Sequence, residues 1–422
     1  MIVIRGARVL RAAGVEEATV VIEGDTVRSV GESPPVSGAR VIDAAGAWLG
    51  PGLVDLHAHF RDPGQTWKED LDSGARAAVA GGFTAVVTMP NTDPPVDGKA
   101  SATAAVARAK AIAIIDLAVG GALTKGRAGA GMADLDAMYE AGVRVFSDDG
   151  DAVPQAGLLR SIMAHVSDLP GAVVAEHAED RSLAGNGHMH EGKVAARLGV
   201  EGLPGLAEEV IVARDLALAA ETGARVHIQH VSTAISVDLI RRARHRGVAV
   251  TAEVTPHHLA LDESALEDLD PNLKMYPPLR SSEDRVALVD GLREGVLDAV
   301  ATDHAPHTPA EKAVPFEEAP RGVIGLETAA AVVATSALGS DQAAFFDRMS
   351  IAPARIAGLE RQGNAVEPGS PANLTLFDPS RRWVPGTIAS KSENSPFTGV
   401  ELTGRVLTTI YEGSVTYEDG LR

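Results

Sequence analysis

Two histidines in residues 53–64 have the spacing of metal ligands. His57 and His59 are separated by one residue in an apolar run, which Pro63 and Gly64 end. Alternate side chains of a β-strand share a face, so both imidazoles point the same way and can bind one metal ion. Arg61 has the same parity just beyond the run, where a guanidinium can meet an anionic ligand. A strand that carries two histidines by chance would show the same local pattern. Whether this pair binds a metal therefore depends on potential ligands later in the chain.

Composition restricts the class of protein. The chain has 422 residues, of which 45% are apolar, and a net charge of −19. This length suits a large barrel plus a minor domain. The negative charge argues against a nucleic-acid partner, since no broad basic surface would offset phosphate repulsion. No run reaches the ~18–20 apolar residues of a membrane span, and the N-terminus does not resemble a signal peptide.

Cysteine is absent from the chain. Any metal must therefore be bound by histidine and carboxylate side chains. A lack of cysteine also fits a reducing environment, so we expect a cytoplasmic location.

Two patterns divide the chain. Residues 1–52 and 361–422 hold short alternating strands between turns, and we expect one small β domain built from both chain ends. Residues 53–360 alternate apolar strands with Ala-rich helices, which predicts a parallel sheet. Eight strands are expected, at residues 53–59, 84–89, 114–119, 143–148, 172–177, 224–230, 248–254 and 297–302. This α/β pattern predicts a (β/α)8 TIM-like barrel; a doubly wound open sheet is less favoured, because no GxGxxG turn follows the first strand.

The predicted strand ends carry one set of polar side chains. Barrel enzymes place their chemistry at the C-terminal ends of the strands. In chain order, the ends supply His57 and His59, Asn91, Asp148 and Asp149, Glu176 and His177, Gln229 and His230, and Asp303 and His304. Four histidines and two carboxylates can bind two zinc ions if one carboxylate bridges them, which leaves each ion an open position for water.

Other histidines are expected to lie outside this site. His188 and His190 form a second HxH pattern in a Gly-rich polar stretch and are expected to be exposed. His227 lies three residues before His230, so its strand parity predicts that it faces away. His257 and His258 follow the seventh strand, and the sequence does not decide whether they contact the ligands or belong to the core.

The ligand set indicates a hydrolytic reaction. Bound zinc lowers the pKa of its water to about 7. Asp303 can take the proton of that water and pass it to a leaving nitrogen. Arg61 can bind a substrate carboxylate bidentately, and Asn91 can hydrogen-bond an amide or imide edge. These groups together predict cleavage of an amide-like C–N bond in a small anionic substrate.

Motifs over nearly the whole chain resemble the dihydroorotases, in the bacterial type I branch of the metal-dependent amidohydrolases. The matching residues are 55–64, 89–95 (MPNTDPP), 146–150 (FSDDG), 175–180 (AEHAED), 188–198 (HMHEGKVAARL), 228–233 (IQHVST), 251–259 (TAEVTPHHL), 277–284 (PPLRSSED) and 301–307 (ATDHAPH). The resemblance implies a first zinc ion bound by His57, His59 and Asp303. It implies a second zinc ion bound by His177 and His230, with Asp149 as the bridge.

The resemblance also implies a reaction and its substrate contacts. Asp303 would be the general acid and base, and Arg61, Asn91 and His307 would contact the substrate. The implied reaction is the reversible closure of N-carbamoyl-L-aspartate to L-dihydroorotate, with loss of water, in de novo pyrimidine (UMP) biosynthesis.

The sequence departs from the family at two positions of the substrate pocket. Tyr276 stands where the family has an asparagine, and Arg321-Gly322 stands where it has Phe-Gly. A tyrosine offers one hydroxyl in place of an amide, so we expect Tyr276→Asn to preserve or raise the catalytic efficiency. We expect Arg321 to add positive charge toward the substrate.

Two other functions compete with this assignment. The first is hydrolysis of another cyclic ureide or amide, as in hydantoinases or allantoinases. Members of the hydantoinase and dihydropyrimidinase group bridge their metals with a carboxylated lysine, and this chain has no lysine between Lys125 and Lys193. The second is a non-catalytic subunit that supports aspartate carbamoyltransferase, which a missing ligand would favour. No predicted ligand is missing.

A homodimer and an association with the carbamoyltransferase stay open as partners, and no membrane partner is expected.

Overall fold

A computed structural model describes residues 1–31, 38–386 and 389–420 of the chain. The N-terminal strands are β1 (Ile2–Arg11), β2 (Gly14–Glu23), β3 (Thr26–Gly31), β4 (Arg40–Asp43) and β5 (Trp48–Pro51). The elements that follow are β6 (Leu53–Ala58), α1 (Leu71–Ala80), β7 (Phe83–Thr88), α2 (Lys99–Lys110), β8 (Asp116–Val119), α3 (Leu135–Glu140), β9 (Val145–Phe146), α4 (Ala156–Ser167), β10 (Val173–Glu176), α5 (Arg181–Ala184), β11 (Met189–His190), α6 (Lys193–Leu198) and β12 (Gly202–Leu203).

The second half of the chain continues the same alternation. Its elements are α7 (Leu206–Thr222), β13 (Val226–Ile228), α8 (Ala234–His245), β14 (Val250–Val254), α9 (Pro256–Ala260), α10 (Ser282–Arg293), β15 (Ala299–Val300), α11 (Pro309–Lys312), α12 (Ala329–Val333), α13 (Gln342–Phe346), α14 (Ala352–Ala357), β16 (Leu374–Trp383), β17 (Leu402–Tyr411) and β18 (Ser414–Glu418). None of the helices in the described part of the chain combines the length and hydrophobicity that crossing a membrane requires.

Both chain ends contribute to one eight-stranded sheet. The strand order is β18-β17-β16-β5-β1-β2-β3, and β4 pairs with β1. The two ends meet in the antiparallel pair of β5 and β16, where Trp48 lies opposite Phe377 and Pro51 opposite Leu374. The expected β unit built from both ends is thereby confirmed, while the domain limits of 1–52 with 361–422, and 53–360, stay a prediction.

The middle of the chain forms the expected (β/α)8 barrel. Strands β6 to β8 pair in parallel, and so do β9, β10, β13, β14 and β15. Single parallel bridges join the two runs into a closed barrel, one from Gly121 to Phe146 and one from Ala58 to His304. All eight predicted strands are present, but several are shorter than expected at one or both ends. The open-sheet alternative is excluded by this closure.

An apolar layer fills the lower part of the barrel. It contains Leu56, Val87, Val173 and Ala299 from the strands, and Ile356 of α14 packs against them. Side chains that point inward above this layer are shielded from water on the lower side. Polar groups there must find partners within the protein or in a ligand, because burying them unpaired is costly.

The loop after the first barrel strand is fixed by a helix cap. Asp70 precedes α1 and its Oδ1 accepts the backbone N–H of Ser73 at 2.8 Å, while Ser73 Oγ accepts the backbone N–H of Asp70 at 3.1 Å. This reciprocal capping box satisfies two helix-end donors and fixes where the helix begins. Residues 59–69 are thereby held over the C-terminal mouth of the barrel.

An aromatic cluster connects the β unit to the barrel helices. Trp48 of β5, Phe345 of α13 and Phe377 of β16 are each at most 1% exposed. The Phe345 and Phe377 rings stack with centroids 5.0 Å apart, and Trp48 lies 5.7 Å from Phe345 and 5.9 Å from Phe377. The cluster therefore couples both chain ends to the barrel.

We expect Phe377→Ala to lower the free energy of unfolding by about 3–5 kcal/mol, because it opens a cavity in this cluster. Urea unfolding followed by tryptophan fluorescence measures the change. Val384→Ala, at a side chain that is 52% exposed, is the control and should have little effect. A loss below about 1 kcal/mol in Phe377→Ala would show that the cluster does not couple the two parts.

Candidate metal centre and active site

The predicted ligands lie at the C-terminal mouth of the barrel. His57 is on β6 and His59 follows that strand directly, while His177 directly follows β10. His230 lies just beyond β13, and each predicted metal-binding side chain is at most 7% exposed. Asp149 and Asp303 lie in the turns that follow β9 and β15. The structure thus brings together all six residues that the sequence predicts as ligands.

One carboxylate lies at the centre of the four imidazoles. Asp149 Oδ1 is 3.2 Å from His57 Nε2 and 3.6 Å from both His177 Nδ1 and His230 Nε2. Its other oxygen, Oδ2, is 3.4 Å from His59 Nε2. Asp149 alone thus faces histidines from three strands, which is the position a bridging ligand needs.

The second carboxylate lies beside the first two histidines. Asp303 Oδ1 is 3.0 Å from His59 Nε2 and 3.6 Å from His57 Nε2. Asn91 Oδ1 accepts a hydrogen bond from His59 Nδ1 at 2.9 Å, which leaves Nε2 of that ring without a proton and turned toward the carboxylates. His57, His59 and Asp303 form one cluster of atoms spaced to hold a metal ion, and His57, Asp149 and His230 form another.

Three site residues have backbones in the left-handed region. The φ angles are 57° at Arg61, 31° at His230 and 46° at Asp303. A residue with a side chain adopts such angles at a cost of roughly 1–3 kcal/mol, and functional sites concentrate them. The barrel therefore holds these three side chains in directions that regular strands would not give.

The arrangement fits a bound cation. His57 Nε2 and Asp149 Oδ1 are buried without a hydrogen-bond partner among the described residues, although they lie close together. Burial alone disfavours the charged form of His57, but the Asp149 and Asp303 carboxylates outweigh it and raise the pKa of this imidazole well above its usual value. Burial likewise opposes ionisation of Asp149, and the charge of His57 still holds its pKa well below the usual range. The histidines and aspartates are also the donor set that zinc accepts.

A cavity of about 210 Å³ opens over these ligands. Its lining includes all six predicted substrate contacts, namely Arg61, Asn91, Tyr276, His307, Arg321 and Gly322. Three larger cavities, of about 340, 460 and 320 Å³, occur elsewhere among the described residues, and none of the predicted metal ligands lines them. The chemistry of the site therefore favours the smaller cavity as the place for a substrate.

Positive and neutral groups form one wall of this cavity. Arg61 Nε is buried and has no hydrogen-bond partner in the described part of the chain. His307 Nε2 donates to the Arg321 carbonyl at 2.9 Å, and Lys68 Nζ lies 3.4 Å from His307 Nδ1. Burial and the charges of Arg61, Lys68 and Lys312 lower the pKa of His307 to about 3, so this imidazole is neutral at physiological pH. Both of its ring nitrogens already have protein partners, whereas Arg61 retains donors for an anion.

The two departures from the family pattern are in contact with each other. The Arg321 guanidinium lies over the Tyr276 ring, with Cζ 4.1 Å from the ring centroid, and its Nη2 donates to the Gly187 carbonyl at 2.6 Å. The Tyr276 ring also packs near the His177 ring, and their centroids are 5.1 Å apart. Tyr276 thus lies between a predicted ligand and Arg321. The Arg321 guanidinium is already bound by the Tyr276 ring and the Gly187 carbonyl.

Two expectations about other histidines are wrong. His227 is 3% exposed and lies inside the barrel, hydrogen-bonded to Glu253 Oε2 at 3.0 Å. The prediction from strand parity failed because it assumed one continuous strand from His227 to His230. Strand β13 ends at Ile228, and the positive φ of His230 changes the direction of that side chain. His188 and His190 are half-buried, since His190 lies on β11, which pairs with β12 in a small ribbon.

The question about His257 and His258 is partly resolved. Both are 2% exposed on α9, and His258 is tied to Thr255 Oγ1 at 2.8 Å and to the Pro277 carbonyl at 3.1 Å. His257 Nε2 is buried without a hydrogen-bond partner among the described residues. His258 therefore belongs to the core, and His257 lies beside it with ring centroids 4.7 Å apart.

The fold and the site define the class of metal-dependent cyclic amidohydrolases. A solved L-hydantoinase (dihydropyrimidinase) from Arthrobacter aurescens superposes with a TM-score of 0.86 at 26% identity, over 100% of this chain and 96% of that one. The dihydro-orotase-like family model matches residues 46–236. A dihydroorotase of Desulforapulum autotrophicum is 42% identical over 98% of each chain, and one of Streptomyces coelicolor is 44% identical over 99% of this chain and 98% of its own. The chain belongs to the dihydroorotase family.

The contacts of Tyr276 change what we expect of its variants. Tyr276→Phe keeps both ring contacts and should retain kcat/KM within about threefold. Tyr276→Asn loses the cation–π contact, worth about 0.5–2 kcal/mol, and should lower kcat/KM by about 2- to 30-fold. Steady-state assays with dihydroorotate measure both variants. A rise in kcat/KM for Tyr276→Asn would restore the expectation drawn from the sequence alone.

Proposed function

We propose that this chain is a zinc-dependent dihydroorotase that interconverts N-carbamoyl-L-aspartate and L-dihydroorotate in de novo pyrimidine (UMP) biosynthesis. The observation that carries the proposal is the buried Asp149 carboxylate, which faces four imidazoles beneath a cavity lined by Arg61. Similarity to proteins named dihydroorotase over nearly the full length of both chains supports the choice of substrate.

The metal ligands are proposed in two groups. His57, His59 and Asp303 would hold one zinc ion, and His177 and His230 would hold a second. Asp149 would contact both, which its central position supports. One or two ions per chain agree with this set. A bound zinc supplies Lewis acidity and a water whose pKa is near 7.

Asp303 is proposed as the acid and base of the reaction. Burial would raise its pKa, but the charge of His57 and the contact with His59 hold the pKa of this carboxyl well below its usual range, so it is ionised and able to accept a proton. In hydrolysis it takes a proton from the attacking water and delivers it to the ring nitrogen as the C–N bond breaks. In ring closure it takes the proton from that nitrogen and returns it to the departing water.

Arg61 is proposed to bind the substrate carboxylate. It lies in the cavity wall, and its Nε is buried without a hydrogen-bond partner among the described residues. A half-buried guanidinium without a partner is costly, and a bidentate carboxylate relieves that cost. Asn91, Tyr276, His307, Arg321 and Gly322 complete the proposed substrate contacts. Of these, Asn91 also holds His59, and His307 presents a neutral ring.

A second function is hydrolysis of another cyclic ureide or amide. The structural similarity to a hydantoinase favours it, as does the departure at Tyr276 and Arg321. Comparing turnover of dihydroorotate with that of hydantoin and dihydrouracil distinguishes the two functions. A non-catalytic role is disfavoured, because all six proposed ligands lie together at the site. A homodimer, an association with aspartate carbamoyltransferase and a cytoplasmic location stay predictions.

Metal removal tests the proposal first. Protein stripped with a strong chelator should lose dihydroorotate turnover and regain it when zinc is added. His177→Ala should bind less zinc by elemental analysis, because one predicted ligand is lost. His165→Ala, at a half-exposed position on α4, is the matched control. Equal zinc content in His177→Ala and His165→Ala would exclude His177 as a ligand.

Asp303→Asn tests the proton transfer. We expect kcat to fall by about 10²–10⁴-fold, the usual contribution of an acid and base group, and by more if a metal contact is also lost. Asp290→Asn, on the exposed face of α10, should leave kcat unchanged. Circular dichroism shows whether each variant is folded. A folded Asp303→Asn protein with more than about a tenth of the normal kcat would exclude the proposed role.

A further inference from the structure

A glutamate lies directly beneath the predicted ligands. Glu253 is on β14 and is fully buried. Its Oε1 lies 2.9 Å from His57 Nδ1, and its Oε2 lies 3.0 Å from His227 Nε2. Glu253 falls in the family-like stretch 251–259, but it lies within β14 and not beyond its end, so the sequence did not predict it as a site residue.

The carboxylate determines which nitrogen of His57 carries the proton. An ionised carboxylate only accepts hydrogen bonds, so the facing Nδ1 must be the donor. In the neutral imidazole, which is the form that binds a metal, Nε2 then keeps its lone pair, and this atom is the one that lies 3.2 Å from Asp149 Oδ1. Glu253 thus leaves His57 with its unprotonated nitrogen toward the predicted metal position. Metal-binding histidines commonly need such a partner, and losing it typically weakens metal binding 10- to 100-fold.

The same carboxylate also reaches a predicted ligand of the other metal. Glu253 Oε1 accepts the backbone N–H of His230 at 3.4 Å. His230 is one of the residues with a left-handed backbone, and this contact helps to hold that turn. A single buried side chain therefore supports one ligand from each of the two proposed groups.

His227 holds the carboxylate from its other side. His227 Nδ1 lies 2.9 Å from Thr251 Oγ1, and the two residues are opposite each other in the parallel pair of β13 and β14. Its Nε2 can therefore donate to Glu253 while Nδ1 accepts from the threonine hydroxyl. His227 makes this contact without touching a predicted ligand, so it offers an independent way to disturb Glu253.

We propose that Glu253, supported by His227, is a positioning residue that fixes the tautomer and orientation of His57 for metal binding. This inference rests on the metal-dependent function proposed above. The contrasting interpretation is that Glu253 only satisfies buried polar groups in the barrel and affects stability alone.

Glu253→Gln separates these interpretations. Glutamine keeps the size of the side chain but offers one acceptor and one donor group, so it cannot accept N–H groups from both histidines. We expect the zinc dissociation constant, measured by competition with a chromophoric chelator, to rise at least tenfold. The visible spectrum of the cobalt-loaded protein should also change, because it reports the ligand geometry.

Glu208→Gln is the matched control. Glu208 is also a buried glutamate, and it accepts hydrogen bonds from the backbone N–H groups of Ser232 and Thr233 at 3.1–3.2 Å. It forms no hydrogen bond with a predicted ligand in the described part of the chain. Its variant should lose stability while keeping the zinc affinity and the cobalt spectrum.

The outcomes distinguish this inference from the proposed function. If the wild-type protein binds no zinc, the proposed metal site fails. If the wild type binds zinc and folded Glu253→Gln binds it less than tenfold more weakly, or with an unchanged cobalt spectrum, the role of Glu253 alone is overturned. If Glu253→Gln does not fold, His227→Phe carries the test, since it removes the donor to Oε2 and changes no predicted ligand. Weaker zinc binding in His227→Phe then supports the inference, and unchanged binding overturns it.

Discussion

The central constraint in this molecule is a buried carboxylate that faces four imidazoles. Asp149 lies where no water reaches it from below, and two of the atoms that converge there have no hydrogen-bond partner among the described residues. Unpaired polar atoms in such a place are destabilising, and a divalent cation bound among them would remove the penalty. The neighbouring polar groups are arranged to suit that cation. Asn91 and Glu253 accept from the outer nitrogens of His59 and His57, so the inner nitrogens stay free.

The scaffold tolerates strain at the same place. Arg61, His230 and Asp303 have left-handed backbones, and each costs roughly 1–3 kcal/mol. Closed parallel strands, the apolar layer with Ile356 and the aromatic cluster around Trp48 supply a rigid frame that holds these turns. Strain and buried charge thus lie together at the mouth of the barrel.

Much of the architecture follows from patterns that are local in sequence. Apolar runs that alternate with Ala-rich helices predicted eight barrel strands. The rule that barrel enzymes place their chemistry at the C-terminal strand ends predicted where the polar side chains would meet. The period-two pattern at both chain ends predicted the β unit, and the pairing of β5 with β16 confirms it. What the patterns could not predict depends on single backbone angles and on packing between distant strands. The parity rule assigned His227 to the outside because it assumes that the strand continues to His230.

Long-range side-chain pairing was also beyond the sequence. Tyr276 and Arg321 are 45 positions apart in the chain, and only the folded structure shows the arginine over the ring. Glu253 lies in the family-like stretch 251–259, but its role depends on His57, which is 196 positions away in the chain and two strands away in the barrel. The HxH pattern at His188 and His190 was also misjudged. Its Gly-rich composition suggested an exposed loop, but His190 lies on β11, which pairs with β12.

The most direct test of the account is anomalous X-ray diffraction from a crystal loaded with zinc, with data collected on both sides of the zinc edge. The account predicts strong anomalous peaks adjacent to the Asp149 carboxylate, within coordination distance of the histidines around it. A well-ordered crystal whose only zinc peaks lie elsewhere, with the Asp149 carboxylate contacting none of them, would contradict the claim that this buried carboxylate organises a metal centre.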